Sequence, residues 1–256
     1  LLESIQGIVN GSTNYILTKT FKENLSYDEA LKQAQEKGFA ESNPILDTGG
    51  FDAKYKLLIL LAHSFGYIAK PEDLLNIGIN NIGGLELKYA REKGLKIKLV
   101  AQAFKNNDGN ISAFVIPKFV DTEDRLFNVD DVFNGVITKT SFADEQFFVG
   151  KGAGAHPTAS AVLSDISALS YDYQYEYKKI AQQENISLSD DVNLKVFLRH
   201  QIEDAVTLKK HFSTIDESYL NHESGYITGT ISLESLRNIH FDESFDKSFV
   251  LLEIAN

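Results

Sequence analysis

The chain of 256 residues is long enough for one large domain or two ordinary ones, and its 43% hydrophobic and 24% charged residues are typical of a globular protein. Its net charge of -11 argues against long-range attraction to nucleic acid or membranes. The sequence contains no run of about 18 apolar residues, so we expect no membrane span. The absence of cysteine excludes disulfides and thiolate metal sites, and the histidines lack zinc-ligand spacing, so we expect no metal site. No signal peptide is visible, so we expect a cytoplasmic protein.

The pattern of the first half of the chain is typical of a mixed α/β structure. Residues 25–37 carry an apolar stripe at helical spacing, and Ser26 with Glu29 three residues later predicts a capping box. A loop with Pro and Gly follows over residues 38–51. Asp52 is predicted to cap a helix over residues 53–65, which is apolar nearly all round and therefore predicted to be buried, and Gly66 is predicted to end it.

Strand patterns begin after residue 96 and favour an α+β fold with a mixed sheet covered by helices. Predicted strands cover residues 97–104, 111–115, 132–138 and 146–149, with Pro117 ending the second. A glycine-rich turn at residues 150–154 precedes a predicted helix over 157–167. The tail predicts the ferredoxin-like order βαββαβ, with strands 193–198, 218–221, 225–232 and 248–253 and helices 203–212 and 233–238. We expect domains at residues 1–176 and 177–256.

The segment GFAESNPILDTGGFDAKYK, residues 38–56, is the strongest candidate for chemistry. It places Glu41, Asp47 and Asp52 in a loop before the apolar helix, and Lys56 shares a helix face with Asp52 four residues earlier. One interpretation is a capping aspartate with a helical salt bridge. The other is a lysine that a carboxylate orients towards a substrate carbonyl oxygen, to which its ammonium donates a proton. Spacing leaves both open.

Two further segments combine glycines with polar groups. GIVNGSTNYIL, residues 7–17, is typical of a capped strand-to-helix turn, or of a polar turn that contacts a ligand. The turn Gly150–Lys151–Gly152–Ala153–Gly154 precedes a helix, where backbone can approach a phosphate or a ring and the helix dipole favours anions. Alone it is a weak signal, because no βαβ unit begins at it.

The three segments together, the third extended to GKGAGAHPTASAV, resemble the homoserine dehydrogenase family in motif and order over about residues 1–170. That resemblance implies NAD(P)H-dependent reduction of aspartate semialdehyde to homoserine, in the biosynthesis of threonine, methionine and isoleucine. It implies that Lys56 is catalytic. It implies substrate contacts for Glu41, Asp47, Asp52 and Thr13 and cofactor contacts for Asn10, Gly11, Gly152 and Gly154. The chain departs from the family pattern at Phe39, Asn43 and Ser12, which replace the usual Tyr, Asp and Thr.

The resemblance also implies parts that this sequence does not carry. Family members begin with a nucleotide-binding domain bearing GxGxxG, with a second lysine and a loop that ligates a monovalent cation. We therefore expect a catalytic part without most of the nucleotide-binding domain. The tail resembles an ACT domain, a small module that pairs edge to edge and binds amino acids, so a homodimer or larger homo-oligomer is expected. The alternative is a catalytically incomplete fragment that binds amino acids and dimerises.

Overall fold

The backbone alternates strands and helices over the residues that a computed structural model describes, which are 2–174, 178–181, 186–222, 224–239 and 247–255. The predicted division between residues 176 and 177 lies outside the described residues. The strands are β1 (Leu2–Ile8), β2 (Leu75–Asn76), β3 (Lys96–Lys105), β4 (Ile111–Val120), β5 (Phe133–Thr140), β6 (Asp144–Lys151), β7 (Asn193–Gln201), β8 (Phe212–Leu220), β9 (Ser224–Ser232) and β10 (Ser248–Ala255). The helices are α1 (Gly11–Lys22), α2 (Tyr27–Glu36), α3 (Ile45–Thr48), α4 (Phe51–Phe65), α5 (Gly84–Lys93), α6 (Ala155–Leu169), α7 (Lys178–Ala181), α8 (Ala205–Lys209) and α9 (Leu233–Arg237).

The described strands form one mixed sheet in the order β6-β5-β1-β3-β4-β10-β7-β9-β8, with β2 added beside β4. All neighbours are antiparallel except two pairs with β4, namely β2 and β10. The predicted α+β class with a mixed sheet covered by helices is confirmed. The last four strands and their helices follow the predicted βαββαβ order, and this unit joins the rest of the sheet where Leu251 of β10 pairs with Lys118 of β4.

Alternate residues of β4 enter two different hydrophobic clusters, which shows that both faces of the sheet are covered there. On one face, Val115 belongs to the cluster that contains Ile16 of α1 and Leu57 of α4. On the other face, Phe114 and Ile116 pack in a cluster with residues of α8, α9 and the βαββαβ unit, among them Leu208, Leu236 and Leu251. The C-terminal unit therefore shares its core with the central strand of the N-terminal region, in addition to its backbone pairing.

Two glycines set the ends of α4. Gly50 is the N-cap with φ of 78°, and Gly66 is the C-cap with φ of 72°, both left-handed conformations that favour glycine. Gly66 ends the helix as predicted. The prediction that Asp52 caps it is wrong, because the helix begins at the residue after Gly50 and Asp52 lies within its first turn. The prediction of burial all round is also wrong, since Ile59 is 57% exposed on the face turned away from the sheet.

Strand β4 continues through Pro117, which the sequence predicted to be the end of the strand. Pro117 pairs with Leu99 on the β3 side. On its other side, β2 pairs with β4 only at Phe114 and Val115, and β10 pairs at Lys118. Pro117 thus falls between the positions that pair with β2 and the position that pairs with β10, where the missing backbone N–H breaks no ladder hydrogen bond. The predicted helix over 203–212 is shorter as well, because α8 ends at Lys209 and β8 already begins at Phe212.

Candidate active site

Asn10 joins the two aspartates of the acidic segment. Its Nδ2 donates to Oδ1 of Asp47 at 2.6 Å and to Oδ2 of Asp52 at 2.9 Å. Its Oδ1 accepts the backbone N–H of Thr13 at 2.8 Å and so caps α1. The two Nδ2 hydrogens and the Oδ1 oxygen of Asn10 thus each form a hydrogen bond with another group of the protein. The N-terminus of α1 and the acidic segment, 37 and 42 residues apart along the chain, are thereby tied together.

Lys56 lies at the same cluster. Its Nζ is 2.7 Å from Oδ2 of Asp52 and donates to the carbonyl oxygen of Val9 at 2.9 Å. An ammonium group has three N–H donors, so one remains for a substrate oxygen. The side chain is 46% exposed, which leaves the amine accessible while two partners fix its direction. The helical Asp52–Lys56 pair expected from spacing is present, and it belongs to a larger constellation rather than to an isolated surface pair.

Burial, a hydrogen bond and the neighbouring charges together raise the pKa of Asp47 above its ordinary value. Burial raises the pKa of Asp47, the hydrogen bond from Asn10 opposes this, and the charge of Asp52 raises the pKa further. Lys56 lowers the pKa of Asp47, and Glu41 adds a smaller upward contribution. Glu41 is exposed beside the cluster. The carboxylates of Glu41, Asp47 and Asp52 therefore concentrate negative charge around the ammonium of Lys56, which suits a substrate that carries a cationic amino group.

Thr13 and Gly11 occupy the first turn of α1, each in a packed position. Thr13 is fully buried, and its hydroxyl donates to the carbonyl oxygen of Asn10 at 3.1 Å. Gly11 lies against the segment before β5, where a Cβ at this position would come within 3.0 Å of the carbonyl oxygen of Val132. The direct substrate contact predicted for Thr13 and the cofactor contact predicted for Gly11 stay predictions.

The glycine-rich turn reaches the same end of the sheet through residues 132–134. Gly152 lies against the side chain of Asn134, so closely that a Cβ would clash with it. Gly154 is the N-cap of α6 with φ of 117°, a backbone conformation that favours glycine. Because Gly11 contacts Val132 and Gly152 contacts Asn134, the structure brings the N-terminal turn and the glycine-rich turn to one short segment, residues 132–134.

One buried cluster beside the site was missed by sequence reasoning. Nζ of Lys98, which is 1% exposed, contacts Oδ1 of Asn14 at 3.1 Å and Oδ1 of Asp130 at 2.9 Å. Lys22 and Lys96 also contact Asp130, at 2.8 Å and 3.1 Å. Burial lowers the pKa of Lys98 to about 8 although Asp130 opposes this. The only signal in the sequence is two lysines at alternate positions of an apolar strand, which more often face solvent.

The described residues contain no group of three or more histidine, cysteine, aspartate or glutamate side chains arranged to hold a metal ion. None of the helices in the described part of the chain is long and apolar enough to cross a membrane. Neither observation bears on segments outside the described residues.

Comparison with known proteins points to one family. The family model described as homoserine dehydrogenase matches residues 1–167. A homoserine dehydrogenase of Helicobacter pylori is 44% identical over 163 residues, which is 64% of this chain and 38% of the relative. The chain thus spans about two fifths of the length of this curated relative.

Comparison with solved structures points to the same family. A homoserine dehydrogenase from Thiobacillus denitrificans superimposes with a TM-score of 0.80 and 26% identity, covering 98% of this chain and 64% of that one. A hyperthermophilic archaeal homoserine dehydrogenase in complex with NADPH gives a TM-score of 0.56 with 32% identity, covering 68% of this chain and 49% of that one. The second match has the higher sequence identity, and the first extends over nearly the whole chain.

Proposed function

The chain belongs to the homoserine dehydrogenase family, and from that premise we propose that it forms the catalytic part of an enzyme that reduces aspartate semialdehyde to homoserine with NADH or NADPH. The observation that carries the proposal is the constellation of Lys56, Asp52, Asp47 and Asn10 within the matched region. Such a reaction would serve the biosynthesis of threonine, methionine and isoleucine. The cytoplasm stays the predicted compartment.

The chain's own residues supply positioning and a proton. A bound reduced nicotinamide supplies the hydride. Lys56 holds the substrate carbonyl oxygen with its remaining N–H and gives that oxygen a proton as negative charge develops on it. Asp52 and the carbonyl of Val9 fix the direction of the ammonium. Glu41 and Asp47 attract the substrate ammonium, which explains why the cluster carries more carboxylates than one lysine needs.

The glycine-rich turn fits part of a dinucleotide site. Nothing lies within 4 Å of a Cβ built at Gly150, and a Cβ at Gly154 would meet only the ring of Pro157, so backbone is open to close approach at the start of α6. Gly152 and Gly154 are the residues we expect to contact the cofactor, with Asn10 and Gly11 near the joint with substrate. A monovalent cation stays a prediction for the complete protein.

Helix α6 supports the presence of a further packed segment in the complete protein. None of its residues is buried, and four large apolar side chains are more than half exposed: Val162, Leu163, Ile166 and Leu169. An apolar face of this kind marks a surface that another element covers. Because the relatives extend well beyond this chain, we propose that the nucleotide-binding part of the complete protein packs on α6, beside the glycine-rich turn.

The test replaces Lys56 by Ala in the complete gene product and follows NADPH absorbance with aspartate semialdehyde. Turnover should fall about a hundredfold or more, because acid catalysis is lost, while KM changes less. Lys88 provides the matched control, because it forms the same i,i+4 pair with a carboxylate on the surface of α5 and is 69% exposed. Near-normal turnover of the Lys56→Ala enzyme would refute the assignment.

The alternative, an amino-acid-binding and dimerising fragment, draws on the C-terminal unit. Its strands follow the order β10-β7-β9-β8, and β8 forms one edge of the described sheet with exposed Ile215, Tyr219 and Leu220. An ACT-like module that pairs through such an edge would give a homodimer or larger homo-oligomer. Light scattering of the chain with and without Ser218→Pro tests this, since proline removes an edge donor; an unchanged mass would contradict pairing through β8.

A further inference from the structure

A cavity of about 360 Å³ lies between the acidic segment and the C-terminal unit, and none of the predicted site residues lines it. Its volume is in the range of small-molecule sites. One part of the wall comes from the end of β2 and the segment after it, with Asn76, Asn80 and Asn81. Another part comes from the start of β10 and the residue before it, Ser248 and Lys247. Its apolar surface consists of Ile45, Phe51, Ile77, Ile82 and Phe249.

The charge of this lining is unusual for the chain. Lys247 is the one ionisable residue among the described residues that line the cavity, whereas the chain as a whole carries a net charge of -11. Lys247 is 9% exposed, and its ammonium is 3.1 Å from Oδ2 of Asp204, which is not a lining residue. An ammonium and three amides beside an apolar surface suit a ligand with one negative group and a short hydrocarbon part.

The walls are held by bonds that reach the acidic segment. Nδ2 of Asn76 donates to the carbonyl of Gly49 at 2.7 Å, and the backbone N–H of Ile79 donates to the carbonyl of Thr48 at 2.7 Å. Gly49 and Phe51 both line the cavity, and they flank Gly50, the left-handed residue between Asp47 and Asp52. A ligand in the cavity would therefore touch the turn that fixes the spacing of the two aspartates.

Bonds on the other side reach the C-terminal unit. Nδ2 of Asn81 donates to the carbonyl of Lys247 at 2.9 Å. The hydroxyl of Ser248 donates to Glu86, a fully buried carboxylate that also pairs with Nε of Arg199 at 2.7 Å. The cavity thus lies where the two regions of the chain are joined, and an occupant would contact both.

We propose that this cavity binds a small aliphatic monocarboxylate, whose carboxylate accepts hydrogen bonds from Lys247 and the asparagine amides and whose hydrocarbon part packs on Ile45 and Phe51. The ligand contacts and stabilises the turn at Gly49–Phe51, which fixes the spacing of Asp47 and Asp52. It thereby regulates the acidic cluster without binding in it. Because the described residues of the lining include no carboxylate to receive an ammonium, a simple acid is favoured over an amino acid.

The experiment titrates isovalerate and its neutral analogue isovaleramide into the complete gene product by calorimetry. Isovalerate should bind with one-to-one stoichiometry, and isovaleramide about tenfold more weakly or worse, because it cannot form the charged hydrogen bond. Equal binding of the two compounds, or no binding of isovalerate at millimolar concentration, would overturn the proposal. Calorimetry needs no turnover, so a protein that binds isovalerate but reduces no aldehyde refutes the proposed function and leaves this site standing.

Three variants locate the binding. Lys247→Gln should weaken isovalerate binding about tenfold, and Lys209→Gln, an exposed lysine of the same unit, should leave it unchanged. Asn80→Trp, at an exposed lining position, should fill the cavity and abolish binding without disturbing the core. Wild-type affinity in Asn80→Trp would place the ligand elsewhere and refute the site.

Coupling to the acidic segment has its own measurement. Isovalerate should slow backbone hydrogen exchange in residues 45–56 of the wild-type protein and leave exchange unchanged in Asn80→Trp. Lys56→Ala should bind isovalerate with wild-type affinity, because Lys56 does not line the cavity. Unchanged exchange in residues 45–56 on saturation would refute the regulatory part of the proposal.

Discussion

Replacement of Asn10 separates its two structural roles, which are the cap of α1 and the bridge between the aspartates. Asn10→Ser keeps an oxygen that can accept the backbone N–H of Thr13 but removes both Nδ2 donors. Asn10→Ala removes the cap as well. Asn10→Asp keeps the cap and places a third carboxylate against Asp47 and Asp52.

The magnitudes follow from the bonds. Each hydrogen bond to a carboxylate contributes about 1.5 kcal/mol at the lower end of its range, which applies here because the bonds are only partly buried. Asn10→Ser should therefore lower the free energy of unfolding by up to about 3 kcal/mol. Asn10→Ala should lower it by about 1 kcal/mol more, the contribution of a cap.

The pKa of Asp47 provides the decisive readout. Its bond from Asn10 lowers the pKa, while burial and the charge of Asp52 raise it, so Asn10→Ser should raise the pKa of Asp47 further. Asn10→Asp should raise it more, because a like charge is added. Carbon NMR titration of the aspartate carboxyl groups, with Asp47→Asn for assignment, measures both. An unchanged or lower pKa of Asp47 in Asn10→Ser would refute the bridging role, whatever the effect on turnover.

Three further outcomes follow from the structure. Burial lowers the pKa of Lys98 to about 8, so the unfolded chain binds this proton more tightly than the folded one. The free energy of unfolding should therefore rise between pH 8 and about 10.4, by at most about 3 kcal/mol. Chemical denaturation at several pH values should show this rise in the wild type and not in Lys98→Met. Burial alone would raise the pKa of Asp130, but Lys22, Lys98 and Lys96 outweigh it and lower the pKa, so its stabilisation should be present above about pH 4 and decline on acidification, and Asp130→Asn should flatten that decline. Gly50→Ala should cost about 1–2 kcal/mol in unfolding free energy because φ is 78°, and an equal cost at Gly38, whose φ is 72° in an open loop, would show that strain rather than packing at α4 is responsible.

Features that depend on a few neighbouring residues were predictable. The capping box of Ser26 and Glu29 and the end of α4 at Gly66 are confirmed, because each is a bond or a dihedral angle within one helical turn. The start of α4 was predicted wrongly, at Asp52, because the neighbouring Gly50 is an equally plausible boundary in the sequence. The left-handed φ of Gly50 places the N-cap there in the structure.

Contacts between residues far apart in the chain were only partly predictable. The resemblance implied which residues share a site, and the sequence predicted a helix over residues 157–167 where α6 lies. Asn10 is recognisable in the sequence only as a cap. Neither source could indicate that it donates both amide hydrogens to carboxylates 37 and 42 residues away. An asparagine amide has two donors and a cap uses only the oxygen, so a buried capping asparagine must find acceptors elsewhere. That requirement predicts carboxylates or carbonyls around any buried Asn cap, and here the acceptors are the two aspartates on which the proposed chemistry of Lys56 depends.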